Sequence, residues 1–138
     1  MVEILLMNFI YVLKMVKIDF GAKEGYEVLK GIIDSDEGSK RLGEVALIPY
    51  HSPINELKTL FYNTLYDENA SCHMALGIGF SECIKGGIDM DKKELFEKGV
   101  NDSLVHVDFM MGTEDLMIDG ILEDGSHVKI FENGNFVF

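Results

Sequence analysis

A chain of 138 residues that is 47% apolar, with nine Phe and eight Met, has the material for one globular domain with a filled core. Its 24 Asp and Glu against 12 Lys and Arg give a net charge of −12, which repels phosphate backbones and anionic headgroups and so argues against nucleic-acid and membrane partners. The same charge suits a cation, whether a metal ion or the free amino terminus of a peptide, although plain solubility accounts for most of it.

Taken in chain order, Ile4 to Val16 is strongly apolar but is interrupted by Asn8 and Lys14. It falls short of the roughly 20 residues that span a bilayer, and Glu3 stands where a secretory leader carries positive charge. Residues 1–18 read as a packing or oligomer-forming segment, helical or extended. From Asp19 onward short helical and extended patterns alternate. Glu24 to Asp34 places Val28, Leu29, Ile32 and Ile33 at helical spacing, and Ser35 to Ser39 breaks it before a second helix from Lys40 to Leu42. Glu44 to Ile48 reads as a buried strand, because Val45 to Ile48 is a continuous apolar run closed by Pro49. A loop is expected through Ser52-Pro53, and Leu57 to Tyr66 fits helix or strand equally. Ala70 to Ile78 is small, apolar and Gly-containing, which predicts close backbone packing. Asp91 to Lys98 reads as a short helix bounded by Gly99.

The carboxy-terminal third has the clearest pattern. Strands are predicted over Leu104 to Met110, Leu116 to Leu122, Val128 to Phe131 and Phe136 to Phe138, with Asp124-Gly125 and Asn133-Gly134 as hairpin turns between the last three. The fold class that follows is α+β, a mostly antiparallel sheet with short helices in a single domain. Cys72 and Cys83 match no metal or disulfide spacing, which predicts buried, inert thiols in a reduced, cytoplasmic protein. Cys72 and His73 are sequence neighbours and would face opposite sides of a strand, so they do not form a nucleophilic pair.

His106 and Asp108 are the residues that bear chemistry most directly. Side chains two apart in a strand point the same way, so an imidazole and a carboxylate stand side by side, the donor types that divalent zinc, cobalt or manganese accept. His51 in a Pro-flanked loop and His127 beside a hairpin read as surface residues.

Beyond single residues, the runs Glu37-Gly38-Ser39-Lys40-Arg41-Leu42-Gly43-Glu44-Val45-Ala46-Leu47, Leu60-Phe61-Tyr62-Asn63-Thr64-Leu65, Asp67-Glu68-Asn69-Ala70-Ser71-Cys72-His73 and His106-Val107-Asp108-Phe109-Met110 resemble, in order, one family. It is the family of metal-dependent aminopeptidases that includes aminopeptidase T and aminopeptidase S (PepS). The resemblance covers residues 19–138 and only the carboxy-terminal part of the family's length, leaving residues 1–18 outside it. It implies that Glu44 bridges two metal ions while His73, His106 and Asp108 complete their coordination, and that Glu68 serves as a ligand, as the base that activates water, or as both. It further implies one or two divalent ions (zinc, cobalt or manganese), a peptide with a free amino terminus as substrate, and a homodimer.

Two departures from the family pattern are visible. Seven residues after His73, where the family carries a tyrosine thought to assist the transition state, this chain has Phe80. A further family glutamate ligand lies upstream of the region represented, and residues 1–17 offer only Glu3. The sequence therefore supports a metallo-aminopeptidase or its truncated catalytic module. The alternative is a non-catalytic truncated homologue that keeps the fold, with one metal or none, as a binding or oligomerisation module.

Overall fold

The computed structural model describes Gly21 and residues 23–138; the apolar segment Ile4 to Val16 lies outside the described residues. Helix α1 (Tyr26–Ile33) opens on Gly25, whose φ of 72° lets its carbonyl receive the Val28 and Leu29 amides. Ile33 is buried and Leu29 and Ile32 partly so, as the helical spacing predicts, whereas Val28 is 70% exposed. The predicted break holds, but the helix expected over Lys40 to Leu42 does not form, since only Lys40 lies in a helical turn and Leu42 already opens a strand. Asp36 and Ser39 exchange hydrogen bonds, the buried Ser39 hydroxyl reaches the Ile33 carbonyl at 2.6 Å, and a single 3-10 turn (Gly38–Lys40) leads into the first strand.

That strand, β1 (Leu42–Ala46), begins two residues before the predicted start at Glu44. Ser52 does not open a loop. It caps a four-residue helix α2 (Pro53–Glu56), accepting the Asn55 amide at 3.1 Å with Pro53 at the first position, where a missing N–H costs nothing. Leu57 to Tyr66, ambiguous in sequence, is mostly irregular until α3 (Thr64–Asp67), capped by Asn63. Then β2 (His73–Gly77), α4 (Lys92–Glu97) and β3 (His106–Met110) follow. Asp91 accepts the Lys93 and Glu94 amides while Glu94 accepts the Asp91 amide, a reciprocal cap that fixes the start of α4.

The strands form two three-stranded sheets, ordered β1-β2-β3 and β4-β5-β6, where β4 is Ile118–Ile121, β5 His127–Glu132 and β6 Asn135–Phe136. The second sheet is the antiparallel meander that the two turn dipeptides predicted. Gly125 (φ 80°), Asn133 (φ 50°) and Gly134 (φ 72°) all take the left-handed conformation those turns demand. In the first sheet the Ile78 amide bonds Val105 and the Met111 amide bonds Cys72, so β2 and β3 also run antiparallel. The α+β class with antiparallel sheets is what the structure has.

The described chain divides into two compact units. One comprises Val45–Met74 and Asp108–Phe138; the other comprises Ala75–Val107 with the described residues up to Glu44. In the first, Cys72, Ile118, Ile130 and Phe131 form a buried cluster against which Val45, Leu47, Met111 and Leu116 pack. Phe131 is fully buried and stacks on Phe136 with centroids 4.3 Å apart. In the second, the close packing expected of the Gly-containing stretch is explicit. A Cβ on Gly43 would lie 2.3 Å from the Gly77 carbonyl oxygen, and one on Gly77 would lie 1.9 Å from that of Val105. Buried Asn101 donates from its amide to the Gly38 and Gly77 carbonyls at 2.8 and 2.6 Å, tying this corner together. One expectation fails: Cys72 is buried, but Cys83, between Glu82 and Lys85, is exposed in a short 3-10 turn (Ser81–Cys83), where the general preference of a free thiol for burial is not met.

Candidate metal centre

β2 delivers His73 at its first residue, 2% exposed. Its Nδ1 lies 3.2 Å from the Ser71 carbonyl oxygen. A carbonyl can only accept, so the ring donates there from Nδ1–H, which leaves Nε2 as the nitrogen that can coordinate in the neutral ring. His106, at the first residue of β3, is held the same way, with Nδ1 2.8 Å from the Ile78 carbonyl oxygen. Backbone orientation of one ring nitrogen so that the other can coordinate is the usual outer support of a metal-binding histidine. Neither carbonyl carries a sequence signature, since any residue type supplies one.

Glu68 arrives by a different route. It opens a 3-10 turn (Glu68–Ala70) directly after α3, and buried Ser52 reaches the Asn69 and Ala70 carbonyls at 2.9 and 3.0 Å, securing the turn. Within the first unit, Glu68, His73 and Asp108 each offer a ligand atom, all within 4.8 Å of one another. Tetrahedral ligand atoms about 2.0–2.2 Å from a common ion stand about 3.3–3.6 Å apart, so a trio within 4.8 Å would close on a divalent cation by an approach of at most about 1.5 Å. Its donors, two carboxylates and an imidazole, are those zinc, cobalt and manganese accept.

In the second unit, His106 Nε2 lies 3.2 Å from a Glu44 carboxylate oxygen, both side chains about three-quarters buried. A lone pair and a carboxylate at that distance repel unless a cation stands between them, a proton or a metal ion. The residues here fit a metal on chemistry as well as distance. Asp108 follows His106 by two residues on the same strand, the spacing that the alternation of side chains singled out.

The remaining sequence candidates fall elsewhere. His51 is exposed and paired with Glu56 at 2.8 Å, which holds the Glu56 carboxyl below its ordinary range, and His127 is exposed at the start of β5. Burial pushes the Cys72 thiol up, as befits an inert core residue. Phe80 packs its ring 4.9 Å from that of His106 and so stands beside the candidate ligand without a hydroxyl.

Sequence reasoning missed Asp36. Its carboxylate accepts the Ser39 and Leu104 amides at 2.8 and 2.6 Å and the Ser103 hydroxyl at 3.0 Å, which places it below the usual carboxylate range, the Leu104 amide contributing most. It anchors the turn that enters β3. An exposed-looking Asp-Glu pair in a Ser/Gly-rich break carries no hint of partners 67 and 68 residues away.

Residues 15–136 match the family described as thermophilic metalloprotease (M29). The chain is 54% identical over 121 residues to aminopeptidase 2 of Geobacillus stearothermophilus and 51% identical over 121 residues to aminopeptidase AmpS of Bacillus subtilis, each alignment covering 88% of this chain. It superposes on wild-type AmpT from Thermus thermophilus with a TM-score of 0.78 at 41% identity, covering 88% of this chain and 29% of that one. The fold and these matches place the chain in one class, the metalloproteases. The chain belongs to the M29 metalloprotease family, of which it spans about 29% of the length of the curated relatives it matches.

Proposed function

We propose that this chain is the metal-site module of a dinuclear metallo-aminopeptidase, in which residues 19–138 supply Glu44, Glu68, His73, His106 and Asp108 as ligands to one or two divalent ions. The observation that carries the proposal is the mutual reach of Glu68, His73 and Asp108 in a chain of the M29 family. Zinc, cobalt or manganese, when bound, would polarise the scissile carbonyl and lower the pKa of a water. The protein's own part is to hold and to move protons. The Ser71 and Ile78 carbonyls keep the two imidazoles oriented, and Glu44 and Asp108 carry charge opposite to the ions. Glu68 takes a proton from the attacking water and returns it to the leaving amine. The substrate is a peptide whose free amino terminus is drawn to this acidic site. Two unlinked thiols suit a reducing cytoplasmic setting, and a homodimer completes the reading.

Phe80 sets the rate. A hydroxyl donor to a developing oxyanion contributes on the order of 100- to 1000-fold, and Phe80 removes it beside His106. That observation also favours the second reading, a homologue that binds metal without turnover. The test is hydrolysis of aminoacyl-p-nitroanilides with added cobalt or zinc by the parent, Phe80→Tyr and His106→Ala. Activity that rises in Phe80→Tyr by about 10-fold or more and disappears in His106→Ala supports the enzyme. Absence of turnover in both the parent and Phe80→Tyr leaves the non-catalytic reading.

A further inference from the structure

Three carboxylates of the first unit, Asp67, Glu68 and Asp108, line one cavity of about 530 Å³. Glu68 and Asp108 offer ligand atoms within 4.8 Å of each other and of His73, whereas Asp67, next to Glu68 in the chain, belongs to no such group among the described residues. Its carboxylate is turned to the backbone instead. One oxygen accepts the Phe61 amide at 2.8 Å and the other accepts the Asn63 amide at 3.0 Å, one on each side of Tyr62. Tyr62 has a φ of 55°, a left-handed conformation that a bulky residue rarely adopts and that persists only where its surroundings over-determine it. Asp67 supplies that constraint. The ring so held is 89% exposed, so burial of Tyr62 is not what the strained loop gains.

The same bonds close on Glu68. Asn63 caps α3 by accepting the Leu65 amide on its side chain at 3.1 Å and the Asp67 amide on its carbonyl at 2.9 Å, while Asp67 accepts the Asn63 amide in return. Residue 67 is therefore fixed through its own amide and through both side-chain oxygens, and the Glu68 Cα lies one trans peptide, about 3.8 Å, further on. On the far side of Glu68, the Ser52 hydroxyl holds the Asn69 and Ala70 carbonyls. A helix of four residues (Thr64–Asp67) cannot hold a ligand still by itself, since isolated helices shorter than about 12 residues are marginal in water. The position of Glu68 depends on these side-chain bonds, and the Asp67 pair is the one that also imposes the left-handed turn.

We propose that Asp67 is a positioning residue of the metal centre, which holds Glu68 within reach of an ion shared with His73 and Asp108 and is not itself a ligand. The inference rests on the metal-site reading above. A carboxylate whose two oxygens each receive an amide proton is pinned in place with part of its charge offset, which leaves the ion to Glu68 and Asp108. Partners that orient a ligand in this way typically contribute about 10- to 100-fold to metal affinity.

The test uses the full chain with cobalt alone as the probe, affinity being measured by competition against a chelating dye and stability by urea denaturation. Asp67→Asn has one acceptor oxygen where the loop has two amides to satisfy. It is expected to bind at least one cobalt ion about 10- to 100-fold more weakly than the parent, with an altered visible absorption per bound ion. Tyr62→Gly, which takes positive φ without strain and keeps both Asp67 bonds, should stay within about 2-fold of the parent. The double variant Asp67→Asn/Tyr62→Gly separates positioning from folding: relief of the strained turn should bring stability back toward that of the parent while the loss of affinity remains. Parental affinity and absorption in Asp67→Asn, or affinity that recovers together with stability in the double variant, would overturn the proposal. So would failure of both Asp67→Asn chains to fold, which would make Asp67 a residue of the fold rather than of the site. A parent that binds no cobalt, or Glu68→Gln that binds it as tightly as the parent, would remove the metal-site reading and the proposal with it.

Discussion

Gly77→Ala tests how tightly the backbone beneath the candidate ligands is packed. Gly77 ends β2 with a φ of 100°, and a Cβ there would meet the Val105 carbonyl oxygen at 1.9 Å and its carbon at 2.7 Å. Contacts below 3.0 Å do not persist, so the strand must move by about 1 Å against backbone that cannot rotate aside. Two penalties add: about 1–2 kcal/mol for an L side chain at positive φ and about 1–3 kcal/mol for overpacking. Gly125→Ala separates them, because Gly125 has a similar φ of 80° with nothing within 4 Å of its Cβ position, and it should lose only the first. Urea denaturation of both variants against the parent gives the difference, with m-values checked for constancy. The expected result is that Gly77→Ala loses about 1–3 kcal/mol more than Gly125→Ala, a sizeable part of a domain's total of about 5–15 kcal/mol. Equal losses in the two variants would refute the close approach of β2 to Val105.

Other consequences follow from single side chains. The Asp36 carboxyl is held below its ordinary range by the Leu104 amide and by Ser39 and Ser103, so its folded pKa is below its unfolded one. Its contribution is therefore complete above the unfolded value of about 3.9 and is lost as pH falls through the folded value; Asp36→Asn should be less stable than the parent at pH 7, and the gap should narrow as pH is lowered below about 4 in urea titrations. Phe131→Ala empties the centre of the first unit's core and should cost about 3–5 kcal/mol by the same assay, whereas Phe138→Ala, at 91% exposure, should cost about 0.5 kcal/mol or less.

Much of this was legible from residues alone where the rule is local. Asp124-Gly125 and Asn133-Gly134 announce their turns because few other pairs tolerate positive φ, and Asp91 with Glu94 writes its helix cap in four residues. The alternation of a strand singles out His106 and Asp108 as candidates, and the resemblance of their flanking runs singles out Glu44, Glu68 and His73. What stayed hidden depends on distant partners. Ser52-Pro53 reads as a loop until Asn69 and Ala70 give the serine somewhere to bond. Cys83 reads as buried only because free thiols usually are, and Asp36 looks like solvated charge, because neither exposure nor a bond across 68 residues leaves a local pattern. The carbonyls that orient His73 and His106 leave no pattern at all.

The central claim is that this chain holds a divalent metal through Glu68, His73 and Asp108 with Glu44 and His106. Metal content after incubation with zinc or cobalt and exhaustive dialysis, measured by elemental analysis on the parent, His73→Ala and Asp108→Ala, tests it most directly. The account predicts one to two equivalents in the parent and loss of at least one in each variant, with unfolding still cooperative. A parent that retains no metal, or variants that retain as much as the parent, would contradict it.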